Sequence, residues 1–295
     1  MAGPPNLLLI LSDQQRHDTL GALNPCIRTP HLDRLAAAGT LFTRAYPPTP
    51  VCLPCRAAIL TGQYPSTTGA AHNHAPLRQG YAPTLSALLA RRGCFTHLIG
   101  KCHFNPCHDP LSPESAPHIH NREFFRRWHG PWYDFERADM AIGHTTEAHA
   151  CGMHYGAWLE DRGVDTRKYF GNTAYEQYGA WELPEEFHNS KWVADLTIQS
   201  IRECAASDRP FFIWANFQDP HNPCMVPEPW VGMYRPEGLP RFGFKPGEPG
   251  CFAEKPPFYR ETLDRPGPYK ARYSDPGLPG PTDCSALPWS AGQVQ

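Results

Sequence analysis

Residues 6–13 read Asn6-Leu7-Leu8-Leu9-Ile10-Leu11-Ser12-Asp13, a short apolar run that stops at a serine and an aspartate. Such a run is typical of a strand that is buried on both faces of a parallel sheet. Two similar runs follow at residues 96–99 and 211–215. The sequence therefore predicts three buried strands at these places.

Helical patterns lie between the predicted strands. Pro30 fits the first turn of a helix that Gly39 would end, and further helices are predicted at residues 55–60, 84–92 and 191–203. Another strand is predicted at residues 41–45. Because strands and helices alternate, we expect an α/β fold with a mostly parallel central sheet flanked by helices.

The length of 295 residues suits one large α/β domain over residues 1–295. Residues 105–185 are rich in histidine, proline, glycine and aromatic residues, and their periodicity is weak. We interpret them as an insertion over the face where the predicted strands end. Residues 225–295 are rich in proline, and we expect a loop-rich tail there.

The composition and the apolar runs limit the partners and the cellular location that we expect for this chain. The net charge is only -2, which argues against nucleic-acid binding. The apolar run at residues 7–11 is too short to span a membrane, and it lacks the basic front and cleavage site of a signal peptide. We therefore expect a cytoplasmic protein with no membrane partner, whose 11 cysteines are mostly thiols.

Polar side chains that are capable of chemistry follow three of the predicted strands. Asp13 follows the first strand, Lys101 the second, and Asp219 and His221 the third. In open α/β sheets, ligands bind beyond the carboxyl ends of the strands. We therefore expect these groups, and the loop that carries Cys52, to converge on one crevice.

The pentapeptide Cys52-Leu53-Pro54-Cys55-Arg56 permits more than one interpretation. A Cys-x-x-Cys pair is typical of a redox site or of half a zinc site. Zinc would need a second pair, and the spacing of Cys102 and Cys107 is poor for that purpose. A thioredoxin-like pair should open a helix soon after the first strand of a small domain, whereas this pair follows two predicted strands. The third interpretation takes Cys52, Pro54 and Arg56, rather than the two cysteines, as the residues that define the motif.

Four motifs in a fixed order make the third interpretation specific. The pentapeptide is followed by Leu60-Thr61-Gly62 and preceded by Leu11-Ser12-Asp13-Gln14. Gly100-Lys101-Cys102-His103 and Asp219-Pro220-His221 come later. In these motifs the chain resembles the formylglycine-dependent (type I) sulfatases of the alkaline-phosphatase superfamily, strongly over residues 5–105 and again around 190–230. The resemblance implies an alkaline-phosphatase-like fold, of which this chain resembles the N-terminal part.

The resemblance implies a sulfuric ester hydrolase that acts on a small-molecule sulfate monoester, as arylsulfatases and choline sulfatases do. In the family, a formylglycine-generating enzyme oxidises the motif cysteine, here Cys52, to an aldehyde that hydrates to a gem-diol. One diol oxygen attacks sulfur and the alcohol leaves, and the other hydroxyl then expels sulfate. The covalent intermediate divides one difficult step into two easier ones.

The resemblance also implies a metal site. Asp13, Gln14 and the modified Cys52 would bind a divalent cation. Calcium is favoured over magnesium in this interpretation because the ligands are hard oxygens. The cation would lower the pKa of the diol and neutralise the oxygens of the sulfate group.

Four further residues take roles from the resemblance. Arg56 would hold the modified side chain and its charge, and Lys101 would contact the sulfate group as a point charge. His103 would assist the proton of the diol. His221 would contact sulfate or help the leaving oxygen to depart. Cys52, Arg56, Lys101, His103 and His221 are thus the predicted catalytic residues, and the last three also bind substrate.

Other polar residues receive plainer interpretations. His144, His149 and His154 recur every five residues, which fits no single helix face. We interpret them as surface or substrate-loop residues rather than as a metal site. Asp219 is interpreted as a turn residue.

Two features depart from the family pattern. Cys55 stands where the family commonly has serine, so a disulfide with Cys52 could compete with modification. Residues 222–295 contain no convincing match to the family's second pair of metal ligands, and Ser274-Asp275-Pro276-Gly277 is interpreted as a turn. We therefore expect a chain that is truncated at its C-terminus and binds its cation weakly.

Three alternatives remain open on this basis. The first is a phosphonate or phosphodiester hydrolase on the same scaffold. The second is a non-catalytic remnant that keeps the fold but lacks the second pair of metal ligands. The third is a thiol redox protein, which would form a reversible disulfide between Cys52 and Cys55 and would carry no aldehyde.

Overall fold

The computed structural model describes residues 5–80, 83–144, 147–171 and 178–239. One compact unit spans Met1–Met233, and a second begins at Tyr234. Most of the predicted tail at 225–295, including the turn predicted at 274–277, lies outside the described residues. The division into one domain, an insertion and a tail therefore stays a prediction.

A four-stranded parallel sheet forms the centre of the described chain. Its strands lie in the order β1-β5-β2-β3, and every neighbouring pair is parallel. A separate parallel pair joins β4 to β6. This confirms the predicted fold class. The strands are β1 (Leu7–Leu11), β2 (Phe95–Lys101), β3 (Arg137–Ala141), β4 (Tyr178–Trp181), β5 (Phe211–Asn216) and β6 (Cys224–Pro227).

Helices lie between the strands along the chain, as the alternating pattern predicted. The eight α-helices assigned in the described ranges are α1 (Pro30–Ala38), α2 (Cys52–Thr61), α3 (Pro65–Thr68), α4 (Leu85–Ala90), α5 (Arg122–Arg127), α6 (Met153–Glu160), α7 (Thr166–Tyr169) and α8 (Asn189–Ala206). Four short 3-10 turns supplement them, at His118–His120, Ala148–Cys151, Glu185–Phe187 and Pro236–Gly238.

Two predicted elements need correction. The prediction of a strand at residues 41–45 is wrong, because this segment has no strand assignment and the Phe42 side chain is 77% exposed. Helix α2 begins at Cys52 rather than at Cys55, which moves Cys52 from a loop onto a helix. Pro54 fits the first turn of α2, where a missing N–H breaks no helical hydrogen bond.

Residues 105–185 contribute more to the fold than their weak periodicity suggested. They supply β3, which pairs with β2 along its whole length, from His97↔Arg137 to Lys101↔Ala141. They also supply α5, α6 and α7. This stretch is therefore part of the central sheet as well as the source of the loops at its carboxyl edge.

Strands β2, β3 and β5 of the central sheet are buried on both faces, as strands of parallel sheets generally are. Along β5, Phe212 and Trp214 belong to an apolar cluster that includes Leu53 of α2. Ile213 lies between them in sequence and belongs to a second cluster, with Val193 of α8. Burying a side chain such as Phe212 stabilises the fold by about 1.5–3 kcal/mol. Helix α2 is thereby anchored to the sheet beside the carboxyl ends of its strands.

Strand β1 differs from the other strands of the central sheet. It lies at the end of the sheet order and pairs only with β5 within the described residues. Its side chains at Leu7, Leu8 and Ile10 are exposed. As an edge strand, it keeps one row of backbone groups outside the ladder.

Among the described residues, none of the helices has both the length and the apolar character needed to cross a membrane.

Candidate active site

Cys52 and Asp13 meet where α2 begins and β1 ends. Cys52 is the first residue of α2, and the Cys55 N–H closes the first turn on the Val51 carbonyl at 3.0 Å. The Cys52 thiol donates to Asp13 Oδ1 over 3.5 Å. The positive end of the helix dipole favours negative charge at this position. The site thus starts from a half-buried sulfur at a helix N-terminus, beside a buried carboxylate.

Lys101, the last residue of β2, joins this pair. Its side chain is fully buried, and its ammonium forms an ion pair with Asp13 Oδ2. The same Nζ lies 3.9 Å from Cys52 Sγ and 2.6 Å from His144 Nε2. Lys101 is therefore a buried cation at the carboxyl edge of the sheet, and its contact with a sulfate group stays a prediction.

Arg56 lies one turn along α2 from Cys52 and is buried. One guanidinium nitrogen donates to the Lys101 carbonyl at 2.7 Å and to Asn216 Oδ1 at 2.8 Å, while the other lies 3.5 Å from Asp13 Oδ2. The fixed fork of a guanidinium allows all three contacts at once. Arg56 therefore ties α2 to the ends of β1, β2 and β5.

His103 follows Lys101 by two residues and is buried in a left-handed backbone conformation, with φ of 53°. Its Nδ1 has no hydrogen-bond partner among the described residues. Burial, together with the positive charges of Lys101 and Arg56, holds the pKa of His103 well below its ordinary value. The ring is therefore neutral, with one unsatisfied polar atom.

His221 reaches the site from the loop after β5. It stacks face to face on His144, with ring centroids 3.4 Å apart and an interplanar angle of 4°. Burial and the nearby Lys101 charge lower the pKa of His221. Asp219, two residues earlier, lies in a turn, as the sequence predicted, and its carbonyl accepts the Asp13 N–H at 3.2 Å.

Gln14 is the exception among the predicted site residues. It is exposed and has a left-handed backbone conformation, with φ of 59°. The structure brings six of the seven predicted residues into contact or into one electrostatic environment, and Gln14 is the one left at the surface. The six are Asp13, Cys52, Arg56, Lys101, His103 and His221.

Four residues of the site were not predicted from the sequence. His144 bonds to Lys101, and Glu147 bonds to His144. Asn216, the last residue of β5, receives Arg56, and Gln218 donates to the carbonyls that precede His144. His144 is largely buried rather than at the surface, and the alternative of a substrate-loop residue stays a prediction for it. For His154 the interpretation as a surface or substrate-loop residue is wrong, because this side chain is buried near α5. The rule that ligands bind at strand ends would have found Asn216, because it directly follows the strand predicted at residues 211–215. It would not have found His144, which follows β3, a strand that the sequence did not predict.

The pKa of Asp13 and the pKa values of the two thiols of α2 are shifted in opposite directions. Burial by itself raises the pKa of Asp13, but Lys101 and Arg56 outweigh it and hold that pKa far below its ordinary range. Burial raises the pKa of Cys52 and of Cys55 above the ordinary thiol value. Asp13 is therefore ionised, whereas both thiols are protonated at neutral pH.

The described residues supply an incomplete set of metal ligands. Asp13, Cys52 and His221 each place one ligand atom within 4.8 Å of the others. Only Asp13 offers oxygen, whereas calcium takes six to eight oxygen ligands. This set does not fit calcium or magnesium by itself.

A second polar cluster lies away from this site and has the outline of a catalytic triad. Ser200 Oγ lies 2.9 Å from His97 Nδ1, and His97 Nε2 lies 2.8 Å from Asp139 Oδ2. All three side chains are buried, so no substrate reaches the serine.

The same cluster does not form a metal site. Asp139, His129 and His154 place ligand atoms close together, but Asp139 already accepts from His97, His129 and Arg137. Both nitrogens of His154 are engaged, one by the Met140 N–H and the other by the Trp128 carbonyl. The cluster is a structural hydrogen-bond network.

Comparison with known proteins gives a consistent result. Residues 5–111 match the family model described as Sulfatase. An arylsulfatase of Clostridium perfringens (strain 13 / Type A) is 29% identical over 247 residues, which are 80% of this chain and 47% of that protein. Human arylsulfatase A is 31% identical over 232 residues, which are 76% of this chain and 42% of that protein.

Solved structures extend the likeness over nearly the whole chain. The phosphonate monoester hydrolase of Agrobacterium radiobacter superposes with a TM-score of 0.68 at 25% identity, covering 99% of this chain and 54% of that one. The chain spans about half the length of the relatives that it matches.

Proposed function

The chain belongs to the sulfatase family, and on that premise we propose that it hydrolyses sulfate monoesters of small molecules at Cys52. We further propose that a formylglycine-generating enzyme converts Cys52 to formylglycine. When present, that group supplies an aldehyde hydrate whose oxygen attacks sulfur. The side chains around Cys52 supply the rest of the chemistry.

The observation that carries the proposal is the position of Cys52 beside two buried cations. Lys101 Nζ lies 3.9 Å from its sulfur, and Arg56 lies on the next turn of the same helix. Asp13 offsets one of these two positive charges and leaves the other next to Cys52 for an anionic group. The Glu147 carboxylate lies further from Lys101, because it bonds to the opposite nitrogen of the His144 ring. Cations that are already fixed in a dry site stabilise a developing anion without reorganisation.

The state of the thiol supports conversion of Cys52 rather than direct use of its sulfur. A thiolate is the nucleophilic form of cysteine, and burial raises the pKa of Cys52 above the ordinary value. Catalytic and redox cysteines generally show the opposite shift. The same argument applies to Cys55 and disfavours the thiol redox hypothesis.

Two neutral histidines supply sites that can take or give a proton. His103 and His221 both have lowered pKa values, so each ring keeps a free lone pair at neutral pH. A base must be unprotonated to accept a proton from the attacking oxygen. We propose that His103 takes this proton and that His221 faces the leaving oxygen.

A phosphonate monoester hydrolase is the second candidate function. It is favoured by the superposition on the Agrobacterium radiobacter enzyme, which covers 99% of this chain. Phosphonate and sulfate esters both present a tetrahedral anion, and the positive charge of Lys101 and Arg56 serves either. We place the sulfate ester first because the family model and the arylsulfatase relatives both point to it.

Mass spectrometry of the peptide that contains Cys52 tests the proposal. The full chain is produced with and without a formylglycine-generating enzyme, and we expect the cysteine-to-aldehyde mass change only in its presence. Hydrolysis of 4-nitrophenyl sulfate should follow the converted fraction and disappear in Cys52→Ala. Cys26→Ala is the matched control, because Cys26 is an exposed thiol outside the motif that contains Cys52.

The outcomes separate the alternatives. Conversion with faster hydrolysis of phenyl phosphonate esters than of aryl sulfates would favour the second candidate. Conversion without turnover of either ester would favour a non-catalytic remnant. An unmodified thiol in the presence of the modifying enzyme would sink the proposed mechanism.

We also propose a cytoplasmic location, which the free thiols support. Cys94, Cys102 and Cys204 are buried and unpaired, as are cysteines in proteins from reducing compartments. Fractionation of the native host tests this proposal, and recovery of the chain from outside the cytoplasm would overturn it.

A further inference from the structure

His144 holds a defined place in the site although no motif pointed to it. It lies three residues beyond the end of β3, and 13% of its side chain is exposed. Gln218 fixes the backbone in front of it, because its amide donates to the Ile142 carbonyl at 2.9 Å and to the Gly143 carbonyl at 2.6 Å. Two strand ends therefore hold this loop in place.

The hydrogen bonds of His144 determine which of its nitrogens carries the proton. A lysine ammonium has only donors, so Nε2 of His144 must accept from Lys101 Nζ at 2.6 Å. The proton then lies on Nδ1, which donates to Glu147 Oε2 at 3.2 Å. The backbone N–H of His144 donates to the same carboxylate oxygen at 2.9 Å. Glu147 thus orients both the ring and the loop.

The face of the His144 ring packs against a second residue of the site, His221. Its ring lies parallel to that of His221 at a centroid distance of 3.4 Å. The proposed function assigns Lys101 to the anionic group, together with Arg56, and assigns the His221 ring to the leaving oxygen. His144 contacts both of them, through its hydrogen bond with Lys101 and its ring stacking on His221.

We propose that His144 is a positioning residue, which aims the Lys101 ammonium and the His221 ring at the tetrahedral anion, and that Glu147 fixes its tautomer. The inference rests on the proposed function for the identity of that anion. His144 itself takes no proton in this arrangement, because its acceptor nitrogen is occupied by Lys101. Burial and the Lys101 charge lower the pKa of His144 to about 3, which keeps the ring neutral near pH 7.

The first test is spectroscopic and needs no turnover. Nitrogen-15 NMR of the histidine side chains in the full chain should show His144 as the Nδ1–H tautomer between pH 6 and 8. Glu147→Gln should weaken that preference. A His144 ring with its proton on Nε2 would overturn the inference.

The second test is binding of inorganic sulfate to the unconverted chain. We expect His144→Ala to weaken the affinity about tenfold, since a misplacement on the order of 1 Å has large effects in such sites. His144→Gln should recover most of the affinity, because its amide can accept from Lys101 and donate to Glu147. A purely structural role would instead give equal losses for both variants, together with equal losses of thermal stability.

The third test separates this inference from the proposed function. In converted protein, His144→Ala should lower kcat with 4-nitrophenyl sulfate about 10- to 100-fold and change KM less. His149→Ala is the matched control, since His149 Nε2 contacts the same Glu147 oxygen at 3.2 Å but makes no hydrogen bond with Lys101 among the described residues. If the wild-type chain turns over no sulfate ester, the proposed function fails, and the tautomer and sulfate affinity still decide the role of His144. Unchanged sulfate affinity in His144→Ala would refute the positioning role of His144.

Discussion

The guanidinium of Arg56 and the side-chain amide of Asn216 form a buried hydrogen bond of 2.8 Å, across 160 positions in sequence. It joins the helix that carries Cys52 to the last residue of the central strand β5. Because the same guanidinium also reaches the Lys101 carbonyl and Asp13, one side chain sets the spacing between the nucleophile position and the sheet.

Removal of Arg56 should therefore destabilise the whole protein. Arg56→Ala leaves Asp13 and the carbonyl of Lys101 without this partner, and we expect a loss of about 3–5 kcal/mol in the free energy of unfolding. Urea denaturation measures this loss. Arg127→Ala, at an exposed arginine, should change stability by less than about 0.5 kcal/mol, and similar effects of the two variants would contradict the assigned role of Arg56.

The two thiols of α2 should react slowly with alkylating reagents. Raised pKa values leave little thiolate at Cys52 and Cys55 near pH 7. Peptide mass spectrometry after timed iodoacetamide treatment should show the exposed Cys26 modified at least ~10-fold faster. Faster labelling at α2, or a disulfide between Cys52 and Cys55 under mild oxidation, would revive the redox hypothesis.

Gly100 should not tolerate a side chain. Its φ is +86°, and a Cβ there would overlap the Asn216 carbonyl oxygen of the neighbouring strand. The left-handed backbone alone costs on the order of 1–3 kcal/mol for alanine, and the overlap adds to it. Gly62→Ala is the matched control, because Gly62 has φ of +67° but open space around it. Thermal unfolding should show a larger loss for Gly100→Ala than for Gly62→Ala, and equal losses would show that the overlap relaxes.

Stability should fall as the pH falls below about 6.5, in part because of His154. Burial lowers the pKa of His154 to about 4, from 6.5 in the unfolded chain. Between these values the unfolded chain binds a proton that the folded chain refuses, so acid favours unfolding, by on the order of 3 kcal/mol for this group. His154→Gln should flatten the fall between pH 6.5 and 4, whereas a substitution of the exposed His17 should leave it unchanged.

Calcium should bind weakly to the chain. Asp13 is the one carboxylate in the candidate ligand group of the described site, and Lys101 already neutralises it. Titration calorimetry should give a dissociation constant of roughly 1 mM or weaker, and Asp13→Asn should abolish the binding. Micromolar affinity that survives Asp13→Asn would show that other residues form the cation site.

Much of the site could be predicted from the sequence because its residues follow directly on apolar runs. Asp13 and His221 follow β1 and β5, Lys101 is the last residue of β2, and parallel strands bring their carboxyl ends together. Arg56 was found because it belongs to the same short motif as Cys52. These positions depend on local pattern and sheet topology, which a single sequence carries.

The remaining features depend on contacts that are distant in sequence. Strand β3 was missed because Arg137 and Asp139 interrupt its apolar pattern, and their charges are satisfied by each other and by His97. His144 was missed because its partners come from other strands and its spacing fits no helix. Residues 41–45 are the opposite case, because a strand was predicted there and none is present. Their apolar pattern is local, and no described strand pairs with them, so they stay outside the sheet.

The apolar edge at β1 has a practical consequence. Leu8 and Ile10 remain 39% and 53% exposed, next to the row of backbone groups that no described strand covers. A second extended chain can add to such an edge, which makes β1 the place where copies of this protein would begin to associate in concentrated solution. A single lysine at Leu8 would act as a gatekeeper there, and would extend the concentration range over which the protein can be studied without touching the residues around Cys52.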